Sequence, residues 1–257
     1  MATWTHAALS SNARPLSGSC WRVVEAQHVV STLKLVDTLA DQELLEQLLE
    51  DHKPPVPHEC RELHYLLSTP FRYGAPYPRG SRFRRPGFTP GVFYASESVR
   101  TAVAELAFAR LLFFAESPST PWPVNASEHT AFSVRFKTTH GLDLTMAPFA
   151  RRQVDWTHPT EYEPCQAVAD SARTAGVQAL RYQSARDPGQ NVALLACAAF
   201  ASRAPVERHT WRVQLGAQGV RAVCGFPAAR FEFDRQAFAR DPRIASLRWD
   251  RAATQTR

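Results

Sequence analysis

Lysine is almost missing from this sequence. It occurs only at Lys34, Lys53 and Lys137, so 27 of the 30 basic residues are arginine, set against 24 acidic residues for a formal charge of +6. That excludes a diffuse ammonium surface, because the planar guanidinium favours directed, paired contacts to phosphate or carboxylate. A GC-rich coding bias accounts for the excess equally well, so each arginine has to be argued from its neighbours. Long apolar runs are also lacking, and no stretch of 18 apolar residues predicts a membrane span. The first residues carry no basic segment followed by an apolar one, so no membrane association and a cytoplasmic location are expected. The five cysteines (Cys20, Cys60, Cys165, Cys197 and Cys224) are odd in number and form no CxxC pair. They read as reduced, mostly buried thiols. Nine histidines show no ligand spacing, so no metal is expected. GxxxxGK[ST], GxGxxG, HExxH and GxSxG are all absent, which removes the common signatures of phosphate-loop, dinucleotide-fold, zinc-protease and esterase chemistry.

What remains is an ordinary globular composition, with 44% hydrophobic residues and enough chain for a substantial core. The first 18 or so residues are Ser/Ala-rich without periodicity and are expected to fray. The stretch from Val29 predicts a helix of about ten residues with Asp41 as its cap, ended by Pro54-Pro55. SVRTAVAELAFARLLFFAE predicts a helix begun by Ser96 or Ser98. TAFSVRFKT and GLDLT read as two strands, EPCQAVADSARTAG as an amphipathic helix stopped by Gly176, VQALRYQS and NVALLACAAF as strands, and the tail as one or two more. This is the pattern of a single α+β domain with an N-terminal helical extension.

Three clusters place polar residues where core-building alone would not. In PFRYGAPYPRGSRFRRPG, Arg72, Arg79, Arg82, Arg84 and Arg85 surround Gly74, Pro78, Gly80 and Gly87. Turn-rich backbone lets arginines converge on a phosphate, although a solvated basic loop fits as well. In PGVFYASESVRTAVAE, Tyr94 ends a short strand and Glu105 lies eleven residues on, among apolar helix neighbours. A carboxylate there has to meet an arginine, a substrate hydroxyl or solvent. In LRYQSARDPGQNVALL, Ser184, Arg186 and Asn191 occupy a polar turn between apolar strands, the kind of place where sites are built and also where ordinary Asp-Pro-Gly turns occur.

GSRFR at 80–84, GVFYASES at 91–98, AVAE ending at Glu105, TEYEPCQAVADSARTAGVQALRYQSAR and NVALL together resemble the RES domain, the toxin half of RES–Xre toxin–antitoxin systems. The resemblance runs from PFRY at 70 to the strand near residue 200, and the segment before it is similar to the N-terminal extension of longer members. It implies residues 1–69 as a helical extension packed on the core, 70–210 as the RES catalytic domain, and 211–257 as strands and tail of the same domain. It further implies a mixed sheet like that of ADP-ribosyltransferases and cleavage of NAD at the nicotinamide–ribose bond, with phosphate or water as acceptor. NAD is then a substrate and no separate cofactor is needed. The partner implied is an Xre-type helix-turn-helix antitoxin, with which the chain assembles into an oligomer without contacting nucleic acid itself. The family residues fall on Arg82, Tyr94, Glu105 and Ser184 as the catalytic set, with Arg72, Arg84 and Asn191 expected to contact the bound NAD. The family arginine lies ten residues before the tyrosine in compact members. Arg84 keeps that spacing while Arg82 keeps the following aromatic, so both stay open. A protein-modifying mono-ADP-ribosyltransferase and an arginine-rich nucleic-acid-binding module are the competing readings; the latter lacks lysines and any recognisable helix-turn-helix.

Overall fold

A computed structural model describes residues 4–26, 35–72, 78 and 80–251. The first part of the stretch expected as helix from Val29, together with Gly74 and Arg79 of the arginine-rich turn, lies outside these residues. Helices α1 (His6–Asn12), α2 (Leu39–Asp51), α3 (Tyr65–Ser68), α4 (Val99–Glu116), α5 (Gln153–Thr157), α6 (Glu163–Thr174) and α7 (Pro242–Ala245) flank one eight-stranded mixed sheet. Its strands are β1 (Arg14–Glu25), β2 (Phe93–Ser96), β3 (Ser127–Asp143), β4 (Ala179–Gln183), β5 (Gln190–Leu194), β6 (Glu207–Gly216), β7 (Gly219–Cys224) and β8 (Ala229–Phe233). The order is β1-β2-β5-β4-β3-β6-β7-β8, and β1 also pairs with β3, so the first five strands of that order close on themselves. The fold class is α+β, as the element pattern predicted.

The opening of the chain departs from expectation. Residues expected to fray form α1, capped by the Thr5 hydroxyl, and a 12-residue strand paired antiparallel with β3 from Arg14↔Gly141 to Glu25↔His129. Leu9, Leu16 and Cys20 are buried beneath them. The two strands expected at TAFSVRFKT and GLDLT are one, β3. Gly141 reads as a break, but a Cβ there would lie 2.5 Å from Leu16 Cβ, so the glycine is what lets β1 approach. The tail contains three strands. Gly219 (φ +124°) makes the tight β6–β7 turn, where a Cβ would lie 2.1 Å from the Phe233 carbonyl oxygen.

Helix starts follow capping chemistry. Ser98 accepts from Thr101 N at 3.1 Å and begins α4. Thr38, rather than Asp41, caps α2: its hydroxyl accepts from Asp41 N and donates to the Asp41 carboxylate at 2.6 Å. Gly176 (φ +72°) terminates α6. Helix α4 lies against β1, β2 and α7, with Val103, Ala104, Ala107 and Leu111 fully buried.

The expectation of five free thiols is corrected. Cys60 and Cys197 form a disulfide with Cα atoms 5.6 Å apart, leaving Cys20, Cys165 and Cys224 free and buried. Spacing could not show this pair, because 137 residues separate its members. They meet because each sits in a short 3-10 turn against the same apolar cluster, which includes Leu67, Phe71 and Phe93. Among the described residues no helix is long and apolar enough to cross a membrane.

Candidate functional site

Strand register assembles the site. Ser96 on β2 stands opposite Asn191 on β5, and Asn191 stands opposite Tyr182 on β4. Directly paired residues share a face of the sheet, as do residues two apart along a strand. Tyr94, Ser96, Asn191 and Tyr182 therefore point the same way, toward α4 and Glu105. Between them opens a cavity of about 400 Å³, walled also by Trp21 and Arg22 of β1, Ser81 and Arg82, Phe108 of α4, Tyr162 and Arg186.

Glu105 is oriented by two donors on one oxygen. Ser184 Oγ and Asn191 Nδ2 each donate to Oε1 at 2.7 Å. The Asn191 carbonyl oxygen in turn accepts from Ser96 Oγ at 2.6 Å, which fixes the amide's orientation, since a flipped Asn191 would set oxygen against oxygen. Among the described residues no cation lies within ion-pair distance of Glu105, and Oε2 makes no hydrogen bond. Neither an arginine pair nor full exposure explains this carboxylate. Ser184 is itself held by the polar turn, where its Oγ accepts from Arg186 N at 3.0 Å and Asp187 N at 3.2 Å.

Tyr94 is fixed at its hydroxyl, which shares a 2.8 Å hydrogen bond with Ser81 Oγ and accepts from Phe83 N at 2.9 Å. Its ring is a rigid wall of the cavity. Burial pushes the neighbouring Tyr182 hydroxyl well above the usual tyrosine range, with Glu105 and Tyr94 adding to the shift, so Tyr182 is a neutral phenol. The two candidate arginines part company across a tight turn. Ser81 and Arg84 close it through Ser81 N to Arg84 O (2.7 Å), with Gly80 at φ +63°. Arg82 enters the cavity wall, donating to the Trp156 and His158 carbonyl oxygens at 2.7 and 3.0 Å, with its guanidinium 4.8 Å from the Tyr162 ring centre. Burial opposes its charge, but Cys165, Tyr182 and Tyr162 outweigh that and raise its pKa. Arg84 turns outward onto Thr89, at 3.2 Å to Oγ1 and 2.9 Å to the carbonyl oxygen. Arg72 is farther off, bonded to Glu50 and to the Pro54 carbonyl, where it ties the α2 segment down.

The structure thus brings Arg82, Tyr94, Glu105, Ser184 and Asn191 together and leaves Arg72 and Arg84 outside the cavity. Sequence reasoning gives no role to Trp21 and Arg22, which lie just past the 18 or so residues expected to fray; the β-branched and aromatic run WRVV is the available signal for their strand. It also gave no role to Arg186, a residue within a turn already singled out. Among the described residues no group of three or more His, Cys, Asp or Glu side chains is placed to hold a metal ion.

No functionally curated protein matches the chain. Among solved structures, the chain is similar to one in the crystal structure of the M. tuberculosis MbcT–MbcA toxin–antitoxin complex, at 16% identity and a TM-score of 0.44, covering 78% of this chain and 90% of that one. The RES domain family model matches residues 56–216, well over half of the chain and the span that carries Arg82, Tyr94, Glu105, Ser184 and Asn191. The chain belongs to the RES domain family.

Proposed function

We propose that this protein is a RES-type toxin that cleaves the nicotinamide–ribose bond of NAD, with phosphate or water as acceptor, and that an Xre-type antitoxin holds it in check. The observation that carries the reading is the Glu105 carboxylate, with Oε1 taken by two donors and Oε2 left uncommitted beside an aromatic- and arginine-walled cavity. The nicotinamide of NAD is cationic and leaves without a general acid. The ribosyl centre left behind has oxocarbenium character and is stabilised by a fixed anion nearby, as in glycoside cleavage. Glu105 supplies that anion and an acceptor for a ribose hydroxyl. Ser184 and Asn191 hold it in place before the reaction, so little reorganisation is needed as charge develops. Tyr94 and Tyr162 give apolar faces for the nicotinamide and its ribose and exclude water. Arginines on the walls oppose the charge of the diphosphate.

The test is nicotinamide release from NAD, with and without inorganic phosphate. Wild type is expected to release it, and Glu105→Gln, which preserves shape and removes charge, to be slower by about 10²- to 10³-fold. Equal rates for the two proteins would refute the reading. Transfer of label from NAD to a macromolecule in a lysate would instead favour a protein-modifying ADP-ribosyltransferase.

A further inference from the structure

Arg186 is built unlike the other arginine of the cavity that the family pattern singles out. Arg82 has both terminal nitrogens committed to backbone carbonyl oxygens. Arg186 makes both of its side-chain hydrogen bonds through Nη2, to Pro159 O at 3.1 Å and Asp241 Oδ2 at 3.3 Å. Among the described residues its Nε–H and its Nη1 amino group make none. The side chain is only 5% exposed, and its guanidinium lies 3.6 Å from the centre of the Phe108 ring. Stacking of that kind fixes the plane of the charge and leaves its edge to bind.

The Asp241 carboxylate behind it is fully buried. It caps α7 through Arg243 N and also accepts from Arg243 Nε at 3.0 Å and Nη2 at 2.8 Å. Two arginines on one carboxylate leave a net positive charge, and Arg186 is the member that lines the cavity. Asp241 and Arg243 lie beyond residue 216, where the family match ends.

We infer that Arg186 binds the phosphoryl-bearing part of the ligand in this cavity and that Asp241, supplied by the C-terminal segment, is its positioning residue. Identification of that ligand as NAD rests on the function proposed above; the anion site itself does not. A buried pair that orients a donor acts on binding of the ground state, and its loss raises KM while leaving kcat nearly unchanged.

The experiment compares wild type, Arg186→Gln, Arg186→Lys and Asp241→Asn in the full chain. It reads KM and kcat for NAD, calorimetric binding of inorganic pyrophosphate, and thermal melting as a check on folding. Arg186→Gln is expected to raise KM by about 10- to 100-fold, the loss of a charge-assisted contact, with kcat within about threefold and weaker pyrophosphate binding. Arg186→Lys, which keeps the charge without the fork, should recover part of the loss. Asp241→Asn still caps α7 and should raise KM by a smaller factor in the same direction. Where it fails to fold, Asp241→Glu takes its place, with the same expectation.

A folded Arg186→Gln with unchanged KM and unchanged pyrophosphate binding would overturn the anion site. Asp241 variants that lower kcat alone, or leave KM unchanged, would overturn the positioning role. If wild type binds pyrophosphate through Arg186 but leaves NAD intact, the NAD reading fails and this inference stands. If wild type binds neither, both fail.

Discussion

Replacing Asn191 by alanine isolates the orientation of Glu105 from its charge. Asn191 is 3% exposed and bridges two partners, its Oδ1 accepting a hydrogen bond from Ser96 Oγ at 2.6 Å and its Nδ2 donating one to Glu105 Oε1 at 2.7 Å. A hydrogen bond to a charged acceptor contributes about 1.5–3 kcal/mol. If the carboxylate is oriented chiefly for the developing ribosyl cation, that energy appears in the transition state, and kcat for nicotinamide release falls about 10- to 100-fold while KM moves little. Truncation also strands the buried Ser96 hydroxyl, at about 1–3 kcal/mol of stability. In a chain of this size that lowers the melting temperature by roughly 2–4 °C per kcal/mol, so the protein should still fold at 25 °C. Ser184→Ala removes the other donor to the same oxygen. Because the two donors act as a unit, the double variant is expected to lose less than the product of the single losses. Ser96→Ala frees the Asn191 amide without touching Glu105 and should give a smaller fall. Steady-state nicotinamide release with folding checked by melting would decide it. A folded Asn191→Ala with unaltered kcat would refute the idea that Glu105 is held in place for catalysis.

Other outcomes follow from particular contacts. Peptide mapping without reductant should recover Cys60 and Cys197 as one linked species and Cys20, Cys165 and Cys224 as alkylatable only after unfolding; reduction should lower stability by about 4–5 kcal/mol on the chain-entropy model for so long a loop. Gly189→Ala would set a Cβ 2.0 Å from Thr101 Oγ1, driving the 184–191 turn off the start of α4, and should lose both melting temperature and nicotinamide release; unchanged values in both would refute that packing. Burial pushes the Cys165 thiol up to about 11 and that of Cys20 up to about 12, from 9.0. Both are raised in the folded state, so their contribution is complete below pH 9 and is lost as pH rises toward 11 and 12, at about 1.4 kcal/mol per pH unit for each thiol titrating only when unfolded. Melting temperatures measured from pH 8 to 11 should fall accordingly, and Cys165→Ala should flatten the fall.

Much of this molecule can be read in its residues. Helix α4 announces itself through Ser98 and an apolar face, and Tyr94 and Glu105 do look into one cavity from a strand and a helix, although Tyr94 is the second residue of β2 and not its end. The Ser184 turn is legible for the same reason, since short-range turn chemistry decides it. What could not be read depends on long-range partners. Only the WRVV end of strand β1 carries strand propensity; its first half, RPLSGSC, has none and is held by β3, more than a hundred residues away. The Cys60–Cys197 pair and the Asp241–Arg186 contact fail the same test: each joins residues that only the closed sheet brings near. The choice between Arg82 and Arg84 turned on a two-residue loop detail, where backbone direction rather than spacing decides which guanidinium faces inward.

The pairing of β1 with β3 has a consequence for how the chain is made. Ser19 bonds to Val134, 115 residues later, and at synthesis rates of 5–20 residues per second the first strand waits on the order of 10 s for its partner to emerge. During that interval the wall carrying Trp21 and Arg22 is an unpaired edge, and the cavity does not exist. The nascent chain is therefore without the candidate site until most of the sheet has been synthesised.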